Sequence, residues 1–348
     1  MAFNDIVGHR RLVDLLGRAV AAGSLPPSLI FAGPGGVGKR LMADAVAESL
    51  NCLEPVTDQA GRRRDGCGQC ASCRKIARGM HPDVVVVQPE ENGGIKIDAV
   101  REVVGRVAYR PFEARYRVVI VDQADLMGAD AQNALLKTLE EPPARNVFIL
   151  ITSRPAELLE TIRSRCCQLR FGPLKPGEIA AALATRHGFA TDDAHGAAAL
   201  AGGSLGRALA SGGGALADAR AVAAAVLVEA SGSAESRLRL AVAGALLQGA
   251  GKRSKTKESK TFAADRSAVA LRLRAMQSLL RDVGVLSTRA ANAELVNLDL
   301  RNELEPLARR YDRDRLTRAF SAVGRAISAL ERNNASPKIV ADWLALQL

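Results

Sequence analysis

Eight residues, Gly33-Pro34-Gly35-Gly36-Val37-Gly38-Lys39-Arg40, form a phosphate loop that departs from its pattern only at the last position. The glycines Gly33, Gly35, Gly36 and Gly38 let successive backbone N–H groups surround an anion, and Lys39 can reach the terminal phosphates. The pattern asks for Ser or Thr after the lysine, because that hydroxyl ligates the Mg²⁺ bridging the β- and γ-phosphates. Arg40 stands there instead, and a guanidinium offers a metal no oxygen and repels it. ATP or ADP can still be held, but hydrolysis loses a metal ligand.

A second chemical position closes an apolar run, Val118-Val119-Ile120-Val121-Asp122-Gln123. In ATPases built this way an Asp at the strand end orients Mg²⁺, and a following acidic residue activates the attacking water. Asp122 keeps the first role available. Gln123 removes the second, since an amide does not take up a proton as a carboxylate does, and general-base help is worth about 10²- to 10⁴-fold. Asp125, two residues further on, is expected to point elsewhere. Arg40 and Gln123 are independent substitutions that fall on one function, and they read as a pocket without intrinsic ATPase activity.

Cys52, Cys67, Cys70 and Cys73 place four thiols within 22 residues. Four thiolates suffice for a closed tetrahedral Zn²⁺ site, which is a structural rather than a catalytic arrangement. An iron–sulfur cluster of the ferredoxin kind would want a further Cys at position 77, which is Ala. Reduced thiols without metal are the alternative, and His81 is a fifth candidate ligand whose plainer role is to enter a strand before Pro82. Arg62-Arg63-Arg64, inside the same insert, could touch nucleic acid; the plainer reading is a solvated hairpin tip. A third, weaker motif is Ile162-Arg163-Ser164-Arg165-Cys166, where a surface arginine is the default.

These positions require a particular scaffold. Ser28–Ala32 reads as a short buried strand, Gly33–Gly38 as the loop and Arg40–Leu50 as a helix, the strand–loop–helix context a phosphate loop needs. Val84–Val87, Arg117–Val121 and Asn146–Thr152 are further apolar, β-branched runs, and their alternation with helices predicts a parallel sheet covered on both faces. After Phe171 such runs stop. Lys175–Gly188, Asp192–Gly202 and Leu205–Ala210 read as three short helices, and the chain is Ala- and Leu-rich and helical from about Ala215. Leu316, Phe320, Val323, Ile327 and Leu330 share one helix face, read as core or in part as a surface for neighbouring subunits. Ser336-Pro337 starts a last helix. Gly251–Lys260 reads as a solvated basic loop.

Length and composition set the bounds. The 348 residues fit two or three domains, and 48% hydrophobic with 24% charged residues fits packed, globular chains. No signal-peptide core or membrane-length apolar run is visible, so a soluble cytoplasmic protein is expected. A formal charge of +11 favours polyanionic surroundings, whereas 3% aromatic residues argues against a single-strand binder built on base stacking.

Taken together, the loop, the cysteine insert, Asn133-Ala134-Leu135-Leu136-Lys137-Thr138-Leu139-Glu140-Glu141-Pro142-Pro143, Thr161–Cys166 and Gly203-Ser204-Leu205-Gly206-Arg207-Ala208 resemble the AAA+ clamp-loader family. The resemblance implies an AAA+ P-loop parallel-sheet domain over 1–172 with a zinc module at about 51–80. A three-helix lid over 173–212 and an all-α collar over 213–348 would follow. It also implies a hetero-pentamer with tau or gamma and delta subunits that loads a sliding clamp on primed DNA within the replicative DNA polymerase complex. Arg165 would then be an arginine finger acting in trans on a neighbour's ATP. Ile6 and Val7 would flank the adenine side of this chain's own pocket, Thr152 and Arg207 would hold the two sensor positions, and Lys137 could face DNA. Since the chain ends at Leu348, no polymerase-binding tail is expected. Three readings stay open: a catalytically silent subunit, an active clamp-loader ATPase that tolerates Arg40 and Gln123, and a zinc-containing nucleic-acid-binding protein.

Overall fold

The structure is a computed structural model that describes residues 2–90, 93–210, 214–232, 244–247, 258–288, 295, 297, 300–332 and 335–348. The chain divides into two compact units, Met1–Ile179 with Gly203–Gly206, and Ala180–Gly202 with Arg207–Leu348.

The first unit is built on a five-stranded parallel sheet. Its strands are β1 (Ser28–Ala32), β4 (Val84–Val87), β5 (Arg117–Val121), β6 (Asn146–Thr152) and β7 (Cys167–Arg170), in the spatial order β4-β5-β6-β1-β7. Four of these were legible as apolar runs and coincide with them residue for residue. Side chains alternate between the two faces, as strand pleating requires. Leu29, Phe31, Val118, Ile120, Val147, Ile149 and Ile151 join one core, and Ile30, Ala32, Val119, Val121, Phe148 and Leu150 the other. Helix α2 (Lys39–Asn51), through Met42, Val46 and Leu50, belongs to the first core; α4 (Ile97–Val107) and α5 (Ala129–Glu140), through Val100, Val103, Leu135 and Leu139, belong to the second.

The insert after α2 contains a short antiparallel pair, β2 (Val56–Thr57) and β3 (Arg63–Asp65), followed by α3 (Ala71–Ala77). Its arginines are already engaged. Arg62 pairs with Asp58 at 3.0 Å and Arg64 with Asp14 at 3.0 Å, while Arg63 donates to the carbonyls of Ser49, Leu50 and Cys52 at the end of α2. The last contact satisfies carbonyls that a helix end leaves without intrahelical partners.

The second unit is helical. Helices Gly214–Gly232, Glu258–Thr288, Arg301–Arg310, Arg313–Arg332 and Pro337–Gln347 are described, the last starting at Pro337 after Ser336 as expected. Buried Asp282 accepts the Asn297 backbone N–H and side-chain amide at 2.7 and 2.8 Å, and Asn297 in turn accepts from Arg220 at 3.1 Å. The 316–330 stripe is buried only in part. Val323 and Leu330 are buried beside Ala319, Ala322 and Ala326, but Phe320 is 41% exposed, because small alanines fill the packed face. Of the expected basic loop Gly251–Lys260, residues 251–257 lie outside those described, and 258–260 open a helix instead. Among the described residues no helix is long and apolar enough to cross a membrane.

Candidate functional site

The phosphate loop leaves β1 at its C-terminal end and enters α2 through Gly38, whose left-handed backbone (φ 100°) caps the helix. Gly33 donates its N–H to Thr152 at 3.1 Å, which ties the loop to the end of β6. Two glycines are required by close approach: a Cβ on Gly33 would meet the Phe171 carbonyl oxygen at 2.1 Å, and one on Gly36 the Ser204 hydroxyl at 2.3 Å. The 203–206 segment lies on the loop, and Gly206 N–H donates to the Gly36 carbonyl at 3.0 Å. On the other side His9, in a left-handed backbone, donates from Nε2 to the Val37 carbonyl at 3.0 Å and meets Phe171 edge-on. Burial lowers the His9 pKa against the raising pull of that carbonyl.

Lys39 is buried, and its Nζ donates to the carbonyls of Gly33 and Pro34 at 2.5 and 2.6 Å. Burial lowers its pKa, opposed by the nearby carboxylates of Asp122 and Asp125. Arg40 has other partners. Its Nε bonds both oxygens of Asp44, one turn along α2, at 3.1 and 3.2 Å, and its Nη1 lies 3.7 Å from Asp122 Oδ2. A metal held by Asp122 would have to share that carboxylate with a resident cation, and position 40 supplies no oxygen. The residues present do not fit Mg²⁺ as the pattern's Ser or Thr would.

Asp122 also accepts the Gln123 N–H at 3.0 Å, and Gln123 adopts a left-handed backbone (φ 52°). That turn returns the chain so that Asp125 faces the end of β6. Its Oδ1 accepts the Thr152 hydroxyl at 2.8 Å, and its Oδ2 pairs with Arg154 at 3.0 Å. The expectation that Asp125 points elsewhere is corrected: it joins the site through Thr152 and acts on Lys39. A positive-φ Gln is uncommon, which is why spacing alone does not foretell this.

Arg165 follows α6 (Glu160–Arg163). Ile162 and Cys166 on either side are buried in the second core, so Ser164 and Arg165 are presented outward. Arg165 donates to the Thr161 carbonyl at 3.0 Å and pairs with Glu140, the last residue of α5, at 2.5 Å. Gln132, on the same helix, was not singled out by sequence. Its buried amide bonds the carbonyls of Met127 and Glu157 and accepts the Leu159 N–H, so α5 braces the turn that carries Arg165. Lys137 is exposed on α5. Arg207 belongs to the second unit, where burial lowers its pKa.

The four cysteines converge. Their sulfurs all lie within 4.8 Å of one another, and Cys52 Sγ and Cys70 Sγ are 3.8 Å apart. A tetrahedron of zinc–thiolate bonds of about 2.3 Å has sulfur–sulfur edges of about 3.8 Å, so the donor set fits. Backbone N–H groups point at the sulfurs: Cys67 N–H at Cys52 Sγ (3.2 Å), Cys70 N–H at Cys67 Sγ (3.2 Å) and Cys73 N–H at Cys70 Sγ (3.5 Å). Such donors stabilise thiolate. At Cys70 burial opposes ionisation, but the amides of Cys73 and Leu53 and the neighbouring thiols overcome it and bring the pKa to about 6. The cluster can bind a metal ion. His81 stands outside it: its Nδ1 accepts the Asp83 N–H at 3.1 Å, the strand-entry role.

A parallel sheet of this order, with the phosphate loop leaving β1 and Asp122 directly after a strand separated from it by β6, defines an α/β domain with a phosphate-loop-type site at the C-terminal ends of its strands. Residues 8–175 match the family described as DNA polymerase III, delta subunit. The relatives carry more than one subunit name. The gamma/tau subunit of Mycobacterium tuberculosis is 37% identical over 198 residues, covering 56% of this chain and 33% of that one. The delta' subunit of Pseudomonas aeruginosa is 42% identical over 137 residues, covering 39% and 40%. The chain thus spans about a third of the length of the gamma/tau relative it matches. Among solved structures, a gamma subunit-related protein of Thermotoga maritima shares 19% identity, with 86% of this chain and 99% of that chain covered at a TM-score of 0.37.

Proposed function

We propose that this chain is a delta prime-type subunit of the clamp loader: a catalytically silent stator that supplies Arg165 in trans to the ATP of a neighbouring tau or gamma subunit. The observation that carries this reading is the position of Arg40, 3.7 Å from Asp122 where a hydrolytic site needs Mg²⁺. Gln123 at the base position supports it, as does an arginine held at the surface between two buried residues. In this reading residues 173–212 act as a lid, Thr152 and Arg207 hold the two sensor positions, and 213–348 act as the collar that joins the pentamer. Ile6 and Val7 line the adenine side of the pocket, and the four cysteines hold a structural Zn²⁺. The sliding clamp and primed DNA are met through the complex, in the cytoplasm. A nucleic-acid role for Arg62–Arg64 is disfavoured by their intramolecular partners.

The test is Mg²⁺-dependent ATP turnover by the purified chain, alone and after reconstitution with tau or gamma, delta and the clamp. The expected result is no turnover alone and a gain on assembly that depends on Arg165. Robust turnover by the isolated chain, abolished by Lys39→Ala, would make it an active clamp-loader ATPase instead.

A further inference from the structure

Arg40 does more than delete a metal ligand. Three groups, none more than 30% exposed in their side chains, line up across the mouth of the loop: Asp44, the Arg40 guanidinium and Asp122. The guanidinium shares its Nε–H between both oxygens of Asp44 and reaches Asp122 Oδ2 with Nη1. In a metal-dependent site the same carboxylate would face a divalent cation, and that cation would offset the charge of the polyphosphate. Here a fixed positive charge already stands there. It is planar, cannot lose its proton, and presents donors suited to phosphate oxygens. Lys39, carrying three N–H donors of which two go to Gly33 and Pro34, adds a second cation within one residue.

We propose that the Gly33–Arg40 loop binds a nucleoside polyphosphate without a divalent cation, with Arg40 as the resident counter-charge in place of Mg²⁺. The ligand class is the free ATP or ADP anion rather than its magnesium complex. The idea deepens the silent-subunit reading, because a nucleotide held without metal is not positioned for attack by water. It is nevertheless separable from it: a stator whose pocket stays empty would leave the role of Arg165 intact.

Electrostatics gives the sign of the expected effects. Mg²⁺ bound to ATP in solution withdraws charge that Lys39 and Arg40 would otherwise pair with, and it meets a guanidinium at Asp122. Affinity should therefore be equal or higher when Mg²⁺ is chelated. Replacing Arg40 with Thr restores a hydroxyl at the metal-ligating position and leaves Asp44 and Asp122 without their shared cation, so a divalent ion becomes the favourable neutraliser.

The experiment is calorimetric titration of the whole chain with ATP and with ADP, in excess EDTA and in millimolar Mg²⁺, for the native chain and Arg40→Thr. The native chain is expected to bind at least as tightly in EDTA as in Mg²⁺. Arg40→Thr is expected to bind weakly in EDTA and to gain about tenfold or more with Mg²⁺, a difference of about 1.4 kcal/mol per decade. Mn²⁺ in place of Mg²⁺, followed by its electron paramagnetic resonance signal, should show nucleotide-dependent immobilisation of the ion in Arg40→Thr and not in the native chain. Native affinity that rises tenfold with Mg²⁺ overturns the proposal, as does absence of nucleotide binding in both buffers. Arg40 is partly exposed at the first turn of α2, and circular dichroism with a melting curve establishes that Arg40→Thr is folded. Turnover in the reconstituted complex, read separately with Arg165→Ala, reports on the stator role alone.

Discussion

Arg165 is held by Glu140, at 2.5 Å, across 25 residues of sequence, so the last residue of α5 sets the direction of the arginine proposed to act in trans. The pair is partly exposed, with side chains at 35% and 45% of full accessibility, and pairs of this kind are worth about 0–1 kcal/mol. A neighbour's phosphate can therefore replace the carboxylate at little cost. In a reconstituted complex, Arg165→Ala should lower hydrolysis at the one neighbouring tau or gamma site by about 10³-fold or more, the usual effect of losing such a finger, and turnover by the complex by that site's share. Glu140→Gln should lower it far less and leave the melting temperature of the isolated chain nearly unchanged. Turnover by the Arg165→Ala complex at the native rate would remove the trans role.

The cysteine cluster leads to a prediction about folding rather than catalysis. Thiolates from Cys52, at the end of α2, and from Cys67, Cys70 and Cys73 around α3 would share one metal, and structural Zn²⁺ contributes on the order of 10 kcal/mol of local folding free energy. Protein purified under reducing conditions should carry about one zinc per chain by elemental analysis. Strong chelation should expose the amides of residues 51–80 to hydrogen exchange, with the β1 and β5 amides still protected. Cys73→Ser should reproduce the chelated pattern. Zinc-free protein with a fully protected insert would overturn this.

Four strands were readable because each is a short apolar run closed by a polar or glycine signal, with β1, β5 and β6 buried on both faces. β7 was not readable. It is an edge strand in which Leu169 alone is buried, so Cys167, Gln168 and Arg170 disguise it. The phosphate loop, the cysteines and the Arg165 segment were legible from type and spacing. The ion pairs that decide what they do were not. Arg40 meets Asp122 from 82 positions away, and Asp125 reaches Thr152 only because Gln123 adopts a left-handed backbone. Phe320 shows the converse. Periodicity placed it on a packed face, and small alanines filled that face instead.

Close approach at the loop predicts an intolerance that has nothing to do with nucleotide. Gly33→Ala would place a Cβ 2.1 Å from the Phe171 carbonyl oxygen, a backbone atom that cannot swing aside, whereas Gly35 has open space around it. Gly33→Ala should lower stability by about 1–3 kcal/mol, the range for overpacking a well-filled site. Gly35→Ala should cost well under half of that. Urea melts of both variants without nucleotide make the comparison, and equal midpoints would show that the loop can shift away from Phe171.

Asp83 and Arg117 form a buried pair that fixes the connection between α4 and β5. The Asp83 carboxylate accepts the N–H groups of Phe112, Glu113 and Ala114 at 2.8 to 3.0 Å and the Arg117 guanidinium at 3.1 Å. Arg117 also donates to the carbonyls of Arg106, Tyr109 and Arg110. Burial pushes the Asp83 pKa up, but the three amides and Arg117 outweigh it and hold the carboxyl below the usual Asp range. A folded pKa below the unfolded one means the stabilisation is fully present above the ordinary Asp value of about 3.9 and is lost as pH falls through the lower folded value. Asp44 and Asp65 shift the opposite way, since burial dominates there, so the pH profile of the native chain mixes both signs. Comparison with Asp83→Asn isolates the pair. That variant should lose about 3–5 kcal/mol at neutral pH, because it leaves Arg117 buried without its counter-charge. The difference from the native chain should shrink as pH is lowered below about 4, where the unfolded carboxyl takes up a proton, until the folded carboxyl does so at its lower pKa. Denaturant midpoints from pH 7 to pH 3 measure both effects, and a difference that stays constant across that range would show that folding does not lower the Asp83 pKa.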